Sequence, residues 1–148
     1  MNGSFTVKGS IERIRIFPAK GEAGRELAEA MLIENQGLEG GFHAAGGKRQ
    51  ITLLGAETRE ELSAQKEKGI CFSRFKENIT IRGLAPNALQ PGVYLAAGDA
   101  VIEMTDEVKR CHEECPLHAV GRRCPLAGKS LFAKVIKGGI IHVGDAIT

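Results

Sequence analysis

Glycine cuts this sequence into short runs, and between the glycines the apolar residues recur with a period of two. Nineteen glycines fall in 148 residues. Ile14 and Ile16 alternate with Arg13 and Arg15, and Ile51 and Leu53 alternate with Gln50, Thr52 and Leu54. Ile79 and Ile81 flank Thr80, and Val101, Glu103 and Met104 follow Gly98-Asp99. Phe132, Val135 and Ile136 precede Gly138-Gly139, and Ile140, Ile141 and Val143 precede Gly144-Asp145. A two-residue period puts alternate side chains on one face of a strand. Many short strands joined at glycine turns predict a sandwich or barrel rather than a doubly wound α/β fold.

One helix is predicted over residues 56–68, where Ala, Glu, Gln and Lys dominate and Gly69 provides the stop. Leu62 and a few alanines are its only apolar stripe, which places it on the surface. Residues 24–33 are ambiguous: the composition suits a helix, the position between strands suits a strand. There is no repeat, no low-complexity tract and no linker. Residues 87–92, with Pro86 and Pro91, read as a loop within the domain, so residues 1–148 are expected to form a single domain. That length buries a core without disulfide staples.

The charge balance, +2 overall with one Tyr and six Phe, argues against a nucleic-acid partner. No apolar run approaches the roughly 20 residues that span a bilayer, and residues 1–10 hold no apolar leader core, so a cytoplasmic protein is expected. Of the four cysteines, three fall within residues 111–124. In a reducing compartment such clustering points to metal binding or thiol chemistry rather than disulfides.

That segment reads Lys109-Arg110-Cys111-His112-Glu113-Glu114-Cys115-Pro116-Leu117-His118, then Arg122-Arg123-Cys124-Pro125-Leu126. From Lys109 to Lys137 seven Lys or Arg stand against two acids, Glu113 and Glu114. Positive surroundings lower a thiol pKa and favour the thiolate, the form that acts as nucleophile, sulfur carrier or ligand. The same charge would suit an anionic, phosphorylated cofactor. A second reading makes Cys111, Cys115, Cys124 and one of His112 or His118 a tetrahedral zinc site. The gaps of three and eight residues between the cysteines depart from the two-residue zinc knuckle and weigh against it. Cys71, between Ile70 and Phe72, reads as core.

These landmarks resemble, in order, the MOSC domain, the module named for the C-terminal part of molybdenum-cofactor sulfurases. Gly37-Leu38-Glu39-Gly40 with His43 resembles its early motif, and Arg49-Gln50-Ile51-Thr52-Leu53-Leu54 its Arg-Gln strand. Glu77-Asn78-Ile79 with Gly83-Leu84 resembles the central motif. Gly98-Asp99, and Phe132 through Asp145, resemble the later strands. The resemblance implies a compact strand-rich β-barrel of the MOSC or pyruvate-kinase-barrel kind with a few short helices, and a strand at residues 29–33. It also implies a molybdenum-cofactor-related role, as a sulfur carrier or a molybdopterin-binding domain. Cys115 matches the family cysteine that holds persulfide sulfur or touches molybdenum, with Cys111 the runner-up and Cys124 accessory. His43, Arg49, Arg74, Asn78, Arg122 and Arg123 become candidate cofactor contacts. The implied partners are molybdopterin or a sulfur donor or acceptor protein. The alternative is a non-enzymatic adaptor with a structural Cys/His zinc site. One departure is Gly41, where the family commonly has aspartate, which weakens the hold expected on His43 and Arg49. The glycines at 46, 47, 138 and 139 sit in no phosphate-binding strand-to-helix loop, so turn geometry is their expected use.

Overall fold

A computed structural model describes residues 9–17, 24–41, 50–64, 77–83, 89–106 and 131–148, and the architecture below is that of these residues. In chain order they form β1 (Gly9–Ile16), β2 (Arg25–Leu27), β3 (Glu29–Ile33), β4 (Gly37–Leu38), β5 (Ile51–Gly55), α1 (Ala56–Ala64) and β6 (Ile79–Arg82). There follow β7 (Tyr94–Ala97), β8 (Ala100–Met104), β9 (Leu131–Lys137), β10 (Gly139–His142) and β11 (Ala146–Ile147). The main sheet runs β11-β7-β8-β9-β5-β6-β1-β2, and β11 also pairs with β1. That last pairing, Gly9 with Ile147 and Ser10 with Ala146, closes seven strands into a barrel and leaves β2 as an outlying ribbon. A second sheet, β10-β3-β4, packs against it and contributes Leu32, Leu38 and Ile141 to the common core.

The two-residue period reports the inward faces well in most strands. In β8, Ala100, Ile102 and Met104 point into the core while Val101 and Glu103 stay part-exposed. Residues 25–27 and 29–33 are strands, which settles that ambiguous stretch against a helix. In β1, Ile11 and Ile14 are both buried although three residues apart. The pairing with β6 shifts register between Ile11 and Arg13, and an extra residue of this kind reverses the facing of everything after it.

β5 departs from the expected alternation. Ile51, Thr52, Leu53 and Leu54 are all buried, as is Gln50 before them. The cause is cover on the outer face: α1 packs on β5 and β6 and buries Ala56 and Leu62, and Phe132, opposite Thr52 on β9, is buried too. A strand covered on both sides loses its polar face. α1 itself matches the start of the predicted helix; residues 65–68 lie outside the described residues, as do Cys71, Gly46 and Gly47.

Gly138 and Gly139 are required for close approach rather than for a left-handed turn. A Cβ on Gly138 would meet the Leu32 carbonyl oxygen at 2.7 Å, and one on Gly139 would meet the Asp99 carbonyl group at 2.7 Å. Here the small sheet is pressed onto the β7–β8 turn, where Gly98 has a φ of +54°. Gly139→Ala is therefore expected to lower stability by about 1–3 kcal/mol, the usual cost of overpacking against backbone. Urea unfolding followed by circular dichroism measures it; a midpoint unchanged from the parent protein contradicts the close-approach account.

Candidate functional site

The buried polar groups gather where main-chain pairing has to start or change partner. β5 and β6 run parallel, with Leu53 opposite Ile79, and the residues just before β6 are Glu77 and Asn78. Asn78 is buried and its amide is committed to protein. Its Oδ1 accepts from the Thr52 backbone N–H at 3.0 Å and from the Thr52 hydroxyl at 2.9 Å. Its Nδ2 donates to the Arg15 carbonyl at 3.2 Å, and its own backbone N–H donates to Thr52 Oγ1 at 2.9 Å. One side chain thus ties β1, β5 and the entry to β6, where an unpaired amide would be costly.

Glu77, also fully buried, sits on the other side of this knot. Arg15 and Arg59 each donate from Nη2 to the same oxygen, Oε1, at 2.9 and 2.7 Å, and the Thr80 hydroxyl donates to Oε2 at 2.9 Å. The carboxylate therefore clasps β1, α1 and β6 together. Burial on its own pushes the Glu77 carboxyl up. The Arg59 hydrogen bond, the residue's own backbone N–H, the Arg59 charge and the Thr80 hydroxyl outweigh it and hold the group below the ordinary glutamate range. Burial lowers the Arg15 pKa, with Glu77 opposing, and the guanidinium stays charged. It lies 5.6 Å from the centroid of the Phe17 ring, and its buried Nε has no hydrogen-bond partner among the described residues.

Gln50 performs a similar task just before β5 begins. Its Oε1 accepts from the Val135 N–H at 2.9 Å and its Nε2 donates to Asn35 Oδ1 at 3.2 Å. It joins β9 to the β3–β4 turn, where Asn35 holds a left-handed φ of 57°.

Of the residues singled out in the sequence, Asn78 alone falls among the described residues. Cys111, Cys115, Cys124, Arg122, Arg123, His43, Arg49 and Arg74 lie outside them, as do His112 and His118. The described residues do fix where the cysteine segment is rooted. β8 and β9 are antiparallel neighbours, with Met104 opposite Ala133. The Thr105 backbone N–H donates to the Phe132 carbonyl at 3.0 Å, and the Thr105 hydroxyl reaches the same oxygen at 3.2 Å. The chain leaves this strand pair after Asp106 and returns at Leu131, so both roots share one end of the barrel. Beside them lies a groove of about 360 Å³ lined in part by Pro91, Gly92, Glu103, Met104 and Lys134. Gln50 lies away from these roots, its Oε1 on the Val135 N–H, while Asn78 bonds Thr52, which is opposite Phe132, and so lies level with them. Among the described residues no three His, Cys, Asp or Glu side chains come together in a way that could hold a metal. No helix among them is long and apolar enough to cross a membrane.

Sequence reasoning missed Arg15, Arg59, Gln50 and Thr52 as members of this polar framework. Glu77 stood out only as one letter of a motif. Its partner Arg15 is 62 positions away, and no local periodicity carries that pairing.

A family model for the MOSC domain matches residues 40–148. Among solved structures, YuaD from Bacillus subtilis gives a TM-score of 0.67 at 16% identity, covering 95% of this chain and 94% of that one. YiiM from Geobacillus stearothermophilus gives 0.66 at 16% identity, covering 95% of this chain and 74% of that one. YiiM from Escherichia coli gives 0.60 at 18% identity, covering 96% and 69%. At these identities the likeness is one of fold. No curated protein sequence matches the chain.

Breaking the Glu77 clasp tests the framework. Glu77→Gln leaves two guanidinium groups sharing a neutral partner and is expected to cost about 2–4 kcal/mol, less than a wholly buried pair because both arginines keep contact with water. Because the folded pKa lies below the unfolded one, the stabilisation is complete above the ordinary glutamate range and is lost as pH falls through the folded value. Urea midpoints measured from neutral to acid pH should fall more steeply for the parent protein than for Glu77→Gln; parallel profiles contradict this assignment.

Proposed function

The chain belongs to the MOSC domain family, and from that premise we propose that it is a cytoplasmic sulfur-carrier or molybdopterin-binding domain centred on Cys115. The observation that carries the reading is the family match over residues 40–148, which includes the whole cysteine segment. In support, the barrel roots that segment at a firmly paired strand end, through Thr105 and Phe132. Rigid strands are the better platform for a reacting group, since position is worth as much as identity.

The donor chemistry suits the group. A thiolate is a soft ligand for a transition metal and a competent sulfur nucleophile, and arginines pair well with phosphate. Cys115 would hold the metal or the sulfur, while His43, Arg49, Arg74, Arg122 and Arg123 would hold the anionic part of a molybdopterin. When bound, that cofactor supplies a metal centre with a terminal sulfur or oxygen position. Asn78 would contribute through the Arg15 and Thr52 backbone it holds rather than by direct contact.

As a carrier, the Cys115 thiolate attacks the terminal sulfur of a donor persulfide. A new S–S bond forms at Cys115, the donor's S–S bond breaks, and the donor cysteine leaves as a thiolate. The sulfur moves without net oxidation, and the partner this requires is a protein bearing a persulfide. Cys111 and Cys124 then serve as resolving or accessory thiols.

Native mass spectrometry of anaerobically purified protein, parent beside Cys115→Ser, tests the reading. Added sulfur or a bound molybdopterin on the parent and not on the variant is the expected outcome. Equal loading of both removes Cys115 from the role. Stoichiometric zinc in place of either, lost together with the fold on chelation, makes the cysteine segment a structural site instead.

A further inference from the structure

We propose that the outer face of β7, β8 and β9 binds a zwitterionic α-amino acid through Tyr94, Glu103 and Lys134, beside the groove at Pro91 and Gly92. Strand register sets the three in one row: Tyr94 is opposite Glu103, and Glu103 is opposite Lys134. Residues directly opposed across a sheet project from the same face, close enough to act on one small molecule. Glu103 and Lys134 are half-buried and line the same groove. They carry opposite charges, yet neither side chain is paired with the other or with any other described residue. Tyr94, likewise without a side-chain partner among the described residues, is 57% exposed.

The unused chemistry of the row defines the ligand. Glu103 accepts hydrogen bonds from an ammonium group, and the Tyr94 ring beside it adds attraction for the same charge. Lys134 donates to a carboxylate. Two main-chain donors at the groove are already paired, the Gly92 N–H with the Met104 carbonyl at 2.8 Å and the Met104 N–H with the Val93 carbonyl at 2.9 Å. Recognition therefore falls to the side chains. Glu103 at the centre of the row repels an anion, so the site disfavours a ligand whose only charge is a phosphate. A molecule with an ammonium and a carboxylate a few bonds apart satisfies both halves. The volume, about 360 Å³, lies within the span of small-molecule sites. None of the described residues named here is a cysteine, and the proposal does not rest on the reading centred on Cys115.

The test is an amide NMR titration of the full chain with L-alanine, and with N-acetyl-L-alanine and L-alaninamide, which each keep one charge. L-alanine at millimolar concentration should shift the amide signals of Gly92, Glu103 and Lys134. Each capped probe should bind about tenfold more weakly, the loss expected for one charge-assisted hydrogen bond. Glu103→Gln and Lys134→Gln should each weaken L-alanine by a similar factor while leaving the rest of the spectrum in place. Cys115→Ser should bind L-alanine as the parent does, whatever its sulfur content. Absent shifts at these amides, or capped probes that bind as well as L-alanine, overturn the proposal.

Discussion

Closure of the barrel rests on the shortest strand in it. β11 has two residues, and Ile147 faces Ala97 of β7 on one side and Gly9 of β1 on the other. Without this bridge β7 and β1 would both present open edges, with unpaired backbone groups and a core exposed between them. The flanking chain reinforces it from both directions. Thr148 exchanges backbone hydrogen bonds with Ala96 at 3.1 and 2.9 Å, and Ile11 does so with Asp145 and Gly144 at 2.9 and 2.8 Å. Asp145 also accepts from the His142 backbone N–H through Oδ2 at 2.8 Å, which fixes the turn that delivers the strand. A barrel has no edge to manage once it is closed, so short strands suffice.

The second constraint is polar. A closed barrel with one parallel pair among antiparallel strands needs side chains where the ladder changes sense. Asn78, Thr52 and Gln50 fill that need with hydrogen bonds to backbone, and Glu77 binds the covering helix through Arg59 and the first strand through Arg15. These groups are buried and satisfied by one another, the condition under which polar interiors favour one fold over its alternatives. They also give Gln50, Thr52, Glu77 and Asn78 structural roles.

Much of the fold was legible because glycine and the two-residue period act locally. The barrel class, the strands around Ile79, Val101 and Ile140, and the core roles of Ile14 and Ile102 all follow from patterns a few residues long. β5 misled because its cover comes from elsewhere: a strand cannot announce that a helix and Phe132 will lie on its outer side. Gly138 and Gly139 read as turn residues because a sequence shows the absence of a side chain but not what approaches the space. The Glu77 clasp was illegible for the same reason, its cations coming from β1 and α1. For the candidate site, charge and cysteine clustering pointed to residues 111–124, the family resemblance singled out Cys115, and the structure adds the roots of that segment at Asp106 and Leu131.

Those roots have a consequence for how such a domain can change over time. Residues 107–130 begin and end on adjacent strands whose pairing is completed by Thr105 and Phe132. The free energy of joining two fixed points grows only slowly with the length of chain between them. A change in the length of that connection therefore adds little to the cost of closing it. A chain built on this plan can vary the length joining those two strands while the ladder that carries them is kept.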